Sequence, residues 1–408
     1  MAYLSRRGLL AATGGGLASL AAGVLRPETV LPALAVDPQV PTGEWPMHKC
    51  DPARSGYQPE PGPREGVTER WSGSVGEGAP YVPGIAAAGR QVLTVARDGM
   101  WALSTEDGSP DWMVSADEDS AGRNPDVLRI WFPRGGPVVR DDRAFVVSGS
   151  DVYALSTEDG SPDWSFSTTS GFEHVLPVGN VVFAGASRPA ARDDRLVALD
   201  RASGVPQWQR VAPEVPLAFA PDEGYLIGAA PSLDGSGTLI ARNPVRGNPV
   251  WEASHPGSPL VSGQVIPTVG DGRVYGGRGP VVALSTADGS ERWSAPIGDV
   301  DLQTGLVTDG DGLYLADGGI ALALDAATGE RRWITEAETT PLASPVLARE
   351  TLYVPTPRGV TALRTESGTE RFSHELDLPR WSVRGLIVAD GRLYLRGERT
   401  VHALEGER

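Results

Sequence analysis

Apolar residues in this chain occur in short runs that are separated by turns of Gly, Asp and Ser. Two examples are AFVVSG at residues 144–149 and VYALS at residues 152–156, where β-branched and aromatic residues predominate. The apolar positions adjoin one another instead of alternating with polar ones, which is typical of strands buried on both faces. The pattern therefore predicts many short strands in small sheets, each packed between two neighbouring sheets.

One stretch is repeated along the chain. ALSTEDGSPDW at residues 102–112 occurs again, letter for letter, at residues 154–164. Weaker copies keep Gly six residues after Ala and an aromatic residue four residues after Gly. The closing aromatics are Trp112, Trp164, Trp208, Trp251, Trp293, Trp333 and Phe372. They lie 52, 44, 43, 42, 40 and 39 residues apart, the period expected for a unit of four short strands.

The last copy is incomplete at its C-terminal end, because residues 392–408 stop before a closing aromatic. The missing strand occurs near the beginning, where TERWS at residues 68–72 matches TERFS at residues 369–373. We therefore expect Trp71 to close the last sheet. The sequence predicts an all-β fold over residues 67–408, an eight-bladed β-propeller of four-stranded antiparallel blades whose last blade is closed by the N-terminal strand.

Two segments precede the predicted propeller. Residues 1–35 resemble a twin-arginine export signal, with Arg6 and Arg7 before a weakly apolar run and a small-x-small pattern at its end. An amphipathic helix or a retained membrane anchor is the alternative. Residues 36–66 form a lead-in segment. No later apolar run approaches about 18 residues, so we expect a mature chain without a transmembrane segment, extracellular or associated with the cell envelope.

Composition narrows the possible partners. The chain has 52 Asp and Glu against 36 Lys and Arg, a net charge of −16, which disfavours nucleic acid. Lys49 is the only lysine, and with the acidity this indicates a halophilic source; an ordinary acidic surface is the alternative. Cys50 is the only cysteine, which excludes an intramolecular disulfide and a Cys-x-x-Cys metal site.

The unit VYALSTEDGSPDW resembles the repeat of pyrroloquinoline-quinone-like (PQQ-like) β-propellers, and WPMHKCDPARSGYQP at residues 45–59 is similar to the lead-in of their secreted members. The nearest broad family is BamB-like, a group of non-enzymatic propellers. The resemblance implies that the blade aromatics dock adjacent sheets. These residues are Trp71, Trp112, Trp164, Trp208, Trp251, Trp293, Trp333 and Phe372.

The resemblance leaves three functions open. A monomeric scaffold that binds an envelope or extracellular protein, without catalytic residues, metal or cofactor, is favoured, because the vicinal disulfide of quinoprotein alcohol dehydrogenases cannot form with one cysteine. The first alternative is a PQQ- and Ca²⁺-dependent alcohol or aldose dehydrogenase, whose cofactor-binding residues the sequence does not identify. The second is a sensor that binds a small ligand or a sugar.

Two connections are candidates for contact with a partner, because propellers carry function on the loops of their ring faces. One is the insertion within the 52-residue interval, and its alternative interpretation is a solvated acidic loop. The other is the connection around Arg380 and Trp381. Their candidate residues are Asp117, Glu118, Asp119, Trp131, Arg380 and Trp381.

Overall fold

The computed structural model describes residues 40, 43–76, 84–96, 98–115, 136–169, 171–185, 195–212, 215–231, 237–254, 267–277, 279–298, 302 and 304–407. The export signal with Arg6 and Arg7 lies outside the described residues. The insertion with Asp117, Glu118, Asp119 and Trp131 also lies outside them. None of the described residues belongs to an apolar helix of membrane-spanning length.

Blades 1 to 4 follow one another along the chain, and each is a four-stranded antiparallel sheet in sequence order. Blade 1 comprises β3 Ile85–Ala88, β4 Gln91–Ala96, β5 Gly99–Ser104 and β6 Pro110–Ser115. Blade 2 comprises β7 Val138–Arg140, β8 Arg143–Ser148, β9 Asp151–Ser156 and β10 Pro162–Ser167. Blade 3 comprises β11 His174–Val178, β12 Val181–Gly185, β13 Arg195–Asp200 and β14 Pro206–Val211. Blade 4 comprises β15 Val215–Ala220, β16 Tyr225–Pro231, β17 Gly237–Arg242 and β18 Pro249–Ser254.

Blades 5 to 7 continue the pattern, and blade 8 combines both ends of the propeller. Blade 5 comprises β19 Thr268–Gly270, β20 Arg273–Gly276, β21 Val281–Ser285 and β22 Glu291–Ala295. Blade 6 comprises β23 Val307–Thr308, β24 Gly312–Asp317, β25 Ile320–Asp325 and β26 Arg331–Glu336. Blade 7 comprises β27 Val346–Ala348, β28 Thr351–Pro355, β29 Gly359–Arg364 and β30 Glu370–Glu375, with β1 Tyr57–Gln58 parallel to β27. Blade 8 comprises β31 Gly385–Ala389, β32 Arg392–Arg396, β33 Thr400–Gly406 and β2 Val67–Ser74.

The blades form a closed ring around a central channel. The first strands of neighbouring blades contact one another around a complete circle, so these strands line the channel. The ring closes in blade 8, where β2 pairs antiparallel with β33 and Trp71 lies opposite Ala403. This arrangement confirms the predicted eight-bladed propeller and its closure by the N-terminal strand.

Burial within each blade follows the strand order. The third strands β9, β13 and β25 are buried at all positions except their ends, because they lie in the middle of their sheets and between two neighbouring blades. The outer strands are exposed at most positions, as in β10 and β14. The continuous apolar runs in the sequence therefore correspond to the buried middle strands of the blades.

The blade aromatics lie at the interfaces between consecutive blades. In seven blades the indole Nε1 donates a hydrogen bond to a backbone carbonyl in the turn of the next blade, for example from Trp112 to Thr157 at 2.8 Å. The ring also lies against the glycine of that turn, as Trp164 does against Gly204. Phe372 is buried in the apolar cluster that blades 7 and 8 share. That these aromatic residues stabilise the ring by docking adjacent blades stays a prediction.

Candidate functional site

The lead-in segment makes one circuit of the central channel. Its carbonyl oxygens accept hydrogen bonds from first-strand amides, or from the residue that follows a first strand, in every blade except blade 3, at 2.7 to 2.9 Å. In chain order the pairs are Gly43–Asp390, Trp45–Ala87, Pro46–Val139, Pro52–Phe219, Ala53–Val269, Ser55–Thr308 and Gly56–Leu347. At blade 3, Met47 packs in the apolar cluster of blades 2 and 3. The segment thus lies against the whole inner wall, at the end where first and second strands are joined.

Tight turns give the lead-in segment its curvature. Lys49, Cys50 and Arg54 have φ angles of 57°, 71° and 59°, in the left-handed region that non-glycine residues rarely adopt. Asp51 fixes the turn between them, because its carboxylate accepts hydrogen bonds from the amide of Ser55 at 3.0 Å and from the Ser55 hydroxyl. Residues in strained conformations persist where the surrounding structure determines them, here through the bonds to the inner wall.

Charged side chains of the lead-in segment lie inside the ring. Lys49, the only lysine of the chain, is 3% exposed and donates from Nζ to the Thr268 hydroxyl of blade 5 at 2.9 Å. Arg54 is 3% exposed and donates from Nη1 to the carbonyl of His48 at 2.7 Å. Two basic side chains and the Asp51 carboxyl group therefore lie buried inside the ring of a chain whose net charge is −16.

Burial shifts the pKa of these groups toward their neutral forms. It lowers the pKa of Lys49 from its usual 10.5 to about 7, an effect that nearby Arg54 reinforces and Asp51 opposes. It lowers the pKa of Arg54 to about 10. The pKa of His48 is held well below its usual range by burial and by both cations, whereas burial raises the pKa of Asp51. Each group is thus harder to charge here than in water.

The second candidate connection, residues 376–384, is described and packs on blade 7. Leu376 and Ser382 donate from their amides to the carbonyls of Arg358 and Pro357 at 3.0 and 3.1 Å. Trp381 remains 44% exposed with a φ angle of 67°. The Arg380 guanidinium lies 5.2 Å from the centre of the Trp381 ring system. The structure thus presents an aromatic side chain on a ring face, on a connection that is tied to the blade.

Arg380 joins this connection to a polar cleft between blades 6 and 7. Its guanidinium lies 3.1 Å from a carboxylate oxygen of Glu338, which lines the cleft. The cleft has a volume of about 280 Å³, and hydroxyl and carboxylate groups of β29 and β30 form one wall. Thr361 and Ser373 on that wall are hydrogen-bonded to each other at 3.1 Å. Arg380 and Trp381 therefore stand beside an acidic cleft.

A family model described as outer membrane protein assembly factor BamB matches residues 64–218, 126–259 and 235–405. The chain belongs to this BamB family. The three matches together extend from the first strand of the ring to the last. No curated protein matches the chain. The closed ring of PQQ-like repeats is thus a property that the chain shares with its family.

Solved structures of BamB and of dehydrogenases share this fold. BamB from Moraxella catarrhalis superposes with a TM-score of 0.62 and 18% identity, over 84% of this chain and 98% of that one. Quinohemoprotein alcohol dehydrogenase from Comamonas testosteroni gives 0.65 and 14%, over 92% and 82%. A europium-containing methanol dehydrogenase gives 0.64 and 14%, over 90% of both chains. At these identities the likeness shows the fold alone, which BamB and the dehydrogenases have in common.

The described channel of this BamB-family chain does not fit a Ca²⁺ ion. Among the described residues, no three His, Cys, Asp or Glu side chains are placed to hold a metal ion. The Asp51 carboxylate accepts bonds from Ser55, and burial raises its pKa, which favours its neutral form. Lys49 and Arg54 lie close by and would repel a further cation. Lys49, Asp51 and Arg54 therefore do not supply a set of calcium ligands.

The arrangement of Lys49, Asp51 and Arg54 inside this BamB-family ring was not predicted from the sequence. The lead-in pattern placed these residues before the first blade without indicating that they lie within the channel. One feature of the sequence could have indicated a buried position for this segment. The only lysine and the only cysteine of the chain adjoin each other there, and the segment also carries Trp45.

Proposed function

We propose that this chain is a non-catalytic protein-binding scaffold, exported by the twin-arginine pathway, that binds an envelope or extracellular protein through the connection at residues 376–384. The observation that supports it is Trp381, an exposed aromatic side chain held in a left-handed backbone conformation. Interface energy is concentrated in a few Trp, Tyr and Arg residues, and a preorganised side chain loses little entropy on binding. The pair Arg380 and Trp381 meets both conditions.

The family supports the same function. BamB is described as an outer membrane protein assembly factor, and a scaffold that binds other proteins is the part of that description that we carry over to this chain. Eight blades around a channel that the lead-in segment lines at one end form a support for surface loops. On this proposal the ring positions the loops, and the loops contact the partner.

The scaffold proposal is tested by comparing variants in capture of envelope and secreted proteins from the source cells. Wild type and Met113→Ala should capture the same partner, because Met113 is an exposed apolar residue on the outer strand β6 of blade 1 and does not belong to the connection. Trp381→Ala should lose that partner, and Arg380→Ala should weaken its capture. Equal capture by all four proteins would show that residues 376–384 are not the binding site.

The dehydrogenase alternative is tested by titration of the purified mature protein with pyrroloquinoline quinone and Ca²⁺, followed by an artificial-electron-acceptor assay with alcohols and aldoses. The scaffold proposal predicts no saturable binding of the quinone and no substrate-dependent dye reduction. Saturable binding at one site together with dye reduction would replace the scaffold by an oxidoreductase.

Export is tested through the two arginines of the signal. Replacement of both by lysine, Arg6→Lys with Arg7→Lys, keeps the positive charge but removes the guanidinium pair that the pathway reads. We expect the double variant to accumulate inside the cell with its signal intact, while wild type is found outside the cytoplasmic membrane. Normal export of the double variant would contradict the twin-arginine assignment.

A further inference from the structure

The outer strand of blade 3 differs from the outer strands of the other seven blades because it contains no acidic residue. Each outer strand ends its sheet and has one unpaired edge. Seven of the eight contain at least one Asp or Glu, such as Asp111 in β6 and Glu252 in β18. The outer strand of blade 3, β14, reads PQWQRV and contains none. Acidic residues on an edge repel an acidic strand, and β14, whose charged residue is Arg210, lacks that repulsion.

Exposed apolar side chains lie at both ends of β14. Val205, which precedes β14, is 59% exposed, and Val211 at its end is 65% exposed. These are the highest values among the large apolar side chains of the described residues. A β-branched residue favours an extended backbone and packs well against a neighbouring strand. The edge of blade 3 thus carries side chains suited to strand pairing.

The adjoining turn of blade 4 is also free of acidic residues. Of the seven eleven-residue copies, only ARNPVRGNPVW at residues 241–251 contains no Asp or Glu. Its turn exposes Val245, at 39%, and Arg246. The two acid-free elements are in contact, because Trp208 donates from Nε1 to the carbonyl of Pro244 at 2.8 Å and Arg210 donates from Nη2 to the carbonyl of Arg246 at 2.5 Å. Together they form the blade 3–4 rim, defined as residues 205–211 and 244–246.

The charge of the blade 3–4 rim is opposite to that of the whole chain. Arg210 is exposed and lies over the Trp208 ring, with its guanidinium carbon 5.8 Å from the ring centre. Its described hydrogen bonds go to backbone carbonyls, of Gln209 and Arg246, which orient the guanidinium without neutralising it. Arg246 adds a second exposed cation. On a chain with a net charge of −16, this cationic and apolar rim is complementary to an acidic ligand.

We propose that the blade 3–4 rim binds an extended acidic segment of another protein, which adds a strand to the free edge of β14. Backbone hydrogen bonds along β14 would hold the segment, and its alternate apolar residues would cover Val205 and Val211. Its carboxylates would pair with Arg210 and Arg246. The surface is separate from the Trp381 connection, so it gives the proposed scaffold a second site and states the chemistry of the partner that binds there.

The test uses a short blocked peptide of alternating Val and Glu as the probe, with fluorescence anisotropy on the full mature chain. We expect saturable binding that weakens as salt rises. The double variant Arg210→Glu with Arg246→Glu should bind at least about tenfold more weakly. Arg331→Glu is the matched control, because Arg331 is an exposed arginine on the outer strand β26. It should bind the peptide as wild type does.

Two further peptides test the mode of binding. A peptide with Lys in place of Glu should not bind, and a Val-Glu peptide with N-methyl groups along one edge should lose binding, because methylation removes the donors that a strand needs. Equal affinity for the acidic and basic peptides would overturn the charge argument. Binding of the methylated peptide at full strength would overturn strand addition.

Two measurements separate this site from its alternatives. Trp381→Ala should keep the affinity of wild type for the peptide, so failure of the Trp381 proposal and failure of this one are distinguished. Sedimentation of the mature chain should show a monomer. A dimer that Val211→Glu dissociates would identify a second copy of the chain as the occupant of this edge and would overturn the acidic partner. Circular dichroism confirms that each variant is folded.

Discussion

The indole of Trp71 occupies the space beside Gly108 in which a side chain would lie. A Cβ atom on Gly108 would come closer to the Cε3 atom of Trp71 than van der Waals contact allows. Trp71 belongs to β2 in blade 8, and Gly108 belongs to the turn that follows β5 in blade 1. This contact, with the hydrogen bond from the Trp71 Nε1 to the carbonyl of Thr105 at 3.1 Å, is where the two ends of the ring meet.

Gly108→Ala should destabilise the protein by about 3 kcal/mol, because the added methyl group meets the ring and because the φ angle of 73° strains an alanine. Gly89→Ala is the matched control, since Gly89 has a φ angle of 56° and a Cβ atom added there would meet no other atom within 4 Å. It should cost about 1 kcal/mol. Guanidinium unfolding followed by Trp fluorescence measures both. Equal losses would show that the ring contact is unimportant.

Trp71→Ala should open the ring selectively at blade 8. Loss of the indole costs about 3 kcal/mol in either Trp71→Ala or Trp208→Ala, because both rings are 8% exposed and fill a similar interface. Only Trp71 belongs to the strand that closes the ring, so only its loss should accelerate hydrogen exchange of the amides in β33. The same exchange profile in both variants would contradict a special role for the closing strand.

Lys49 should make stability depend on pH between about 7 and 9. Its pKa is about 7 in the folded chain against the usual 10.5, so the unfolded chain binds more protons in this range. The stability due to this group therefore rises with pH, by about 1.4 kcal/mol for each unit, and is lost as pH falls toward 7. Unfolding free energies of wild type and Lys49→Met at several pH values measure the difference.

The Lys49 comparison has a control in Arg331→Met, because Arg331 is exposed on the outer strand β26 and lies outside the channel. The difference between wild type and Arg331→Met should therefore be independent of pH. A difference between wild type and Lys49→Met that is also constant would mean that the lysine remains protonated inside the channel.

Cys50 should report release of the lead-in segment from the channel. The thiol is fully buried, and burial raises its pKa well above the usual value, so it should react slowly with a thiol reagent at pH 8. Trp45→Ala removes a side chain that is 1% exposed and anchors the segment near blade 1, so it should accelerate labelling. Trp112→Ala weakens a blade interface instead. If both variants label at the same rate, labelling follows unfolding of the ring rather than release of the segment.

Trp381→Gly should stabilise the chain relative to Trp381→Ala, by about 1 kcal/mol, because glycine adopts the φ angle of 67° without strain. Both variants should lose binding of the partner, because both lack the indole. Thermal unfolding and the capture assay measure the two effects separately. If the alanine variant is the more stable, the backbone at position 381 relaxes when the ring is removed.

The repeat made the architecture predictable from sequence. Gly108 and its counterparts recur at a fixed distance before an aromatic residue because each turn must accept the ring of the preceding blade. Trp71 was predictable for the same reason, since TERWS matches TERFS and a closed ring requires a partner for β33. Periodic contacts leave a periodic pattern, and that pattern shows both the number of blades and the place of closure.

The candidate sites were less predictable because they depend on contacts that do not repeat. Lys49 contacts Thr268, and Arg210 contacts Arg246, through relationships that no local spacing encodes. The left-handed conformation of Trp381 likewise depends on the packing of its connection against blade 7. Departures from the repeat, such as the missing carboxylates in β14, are visible in the sequence, but their contact with blade 4 required the structure.

Pairing of β2 with β33 also constrains how the chain folds. Arg70 and Glu405, which form an ion pair across these two strands, are 335 positions apart in the chain. During synthesis β2 emerges long before its partner, so blade 8 assembles only when nearly all the other blades have been made. Contacts between residues so far apart in the chain form slowly, which favours late formation of this pair. Until β2 joins it, β33 is paired on one edge only, with β32, so the last blade stays open at its outer side until the two ends of the chain meet.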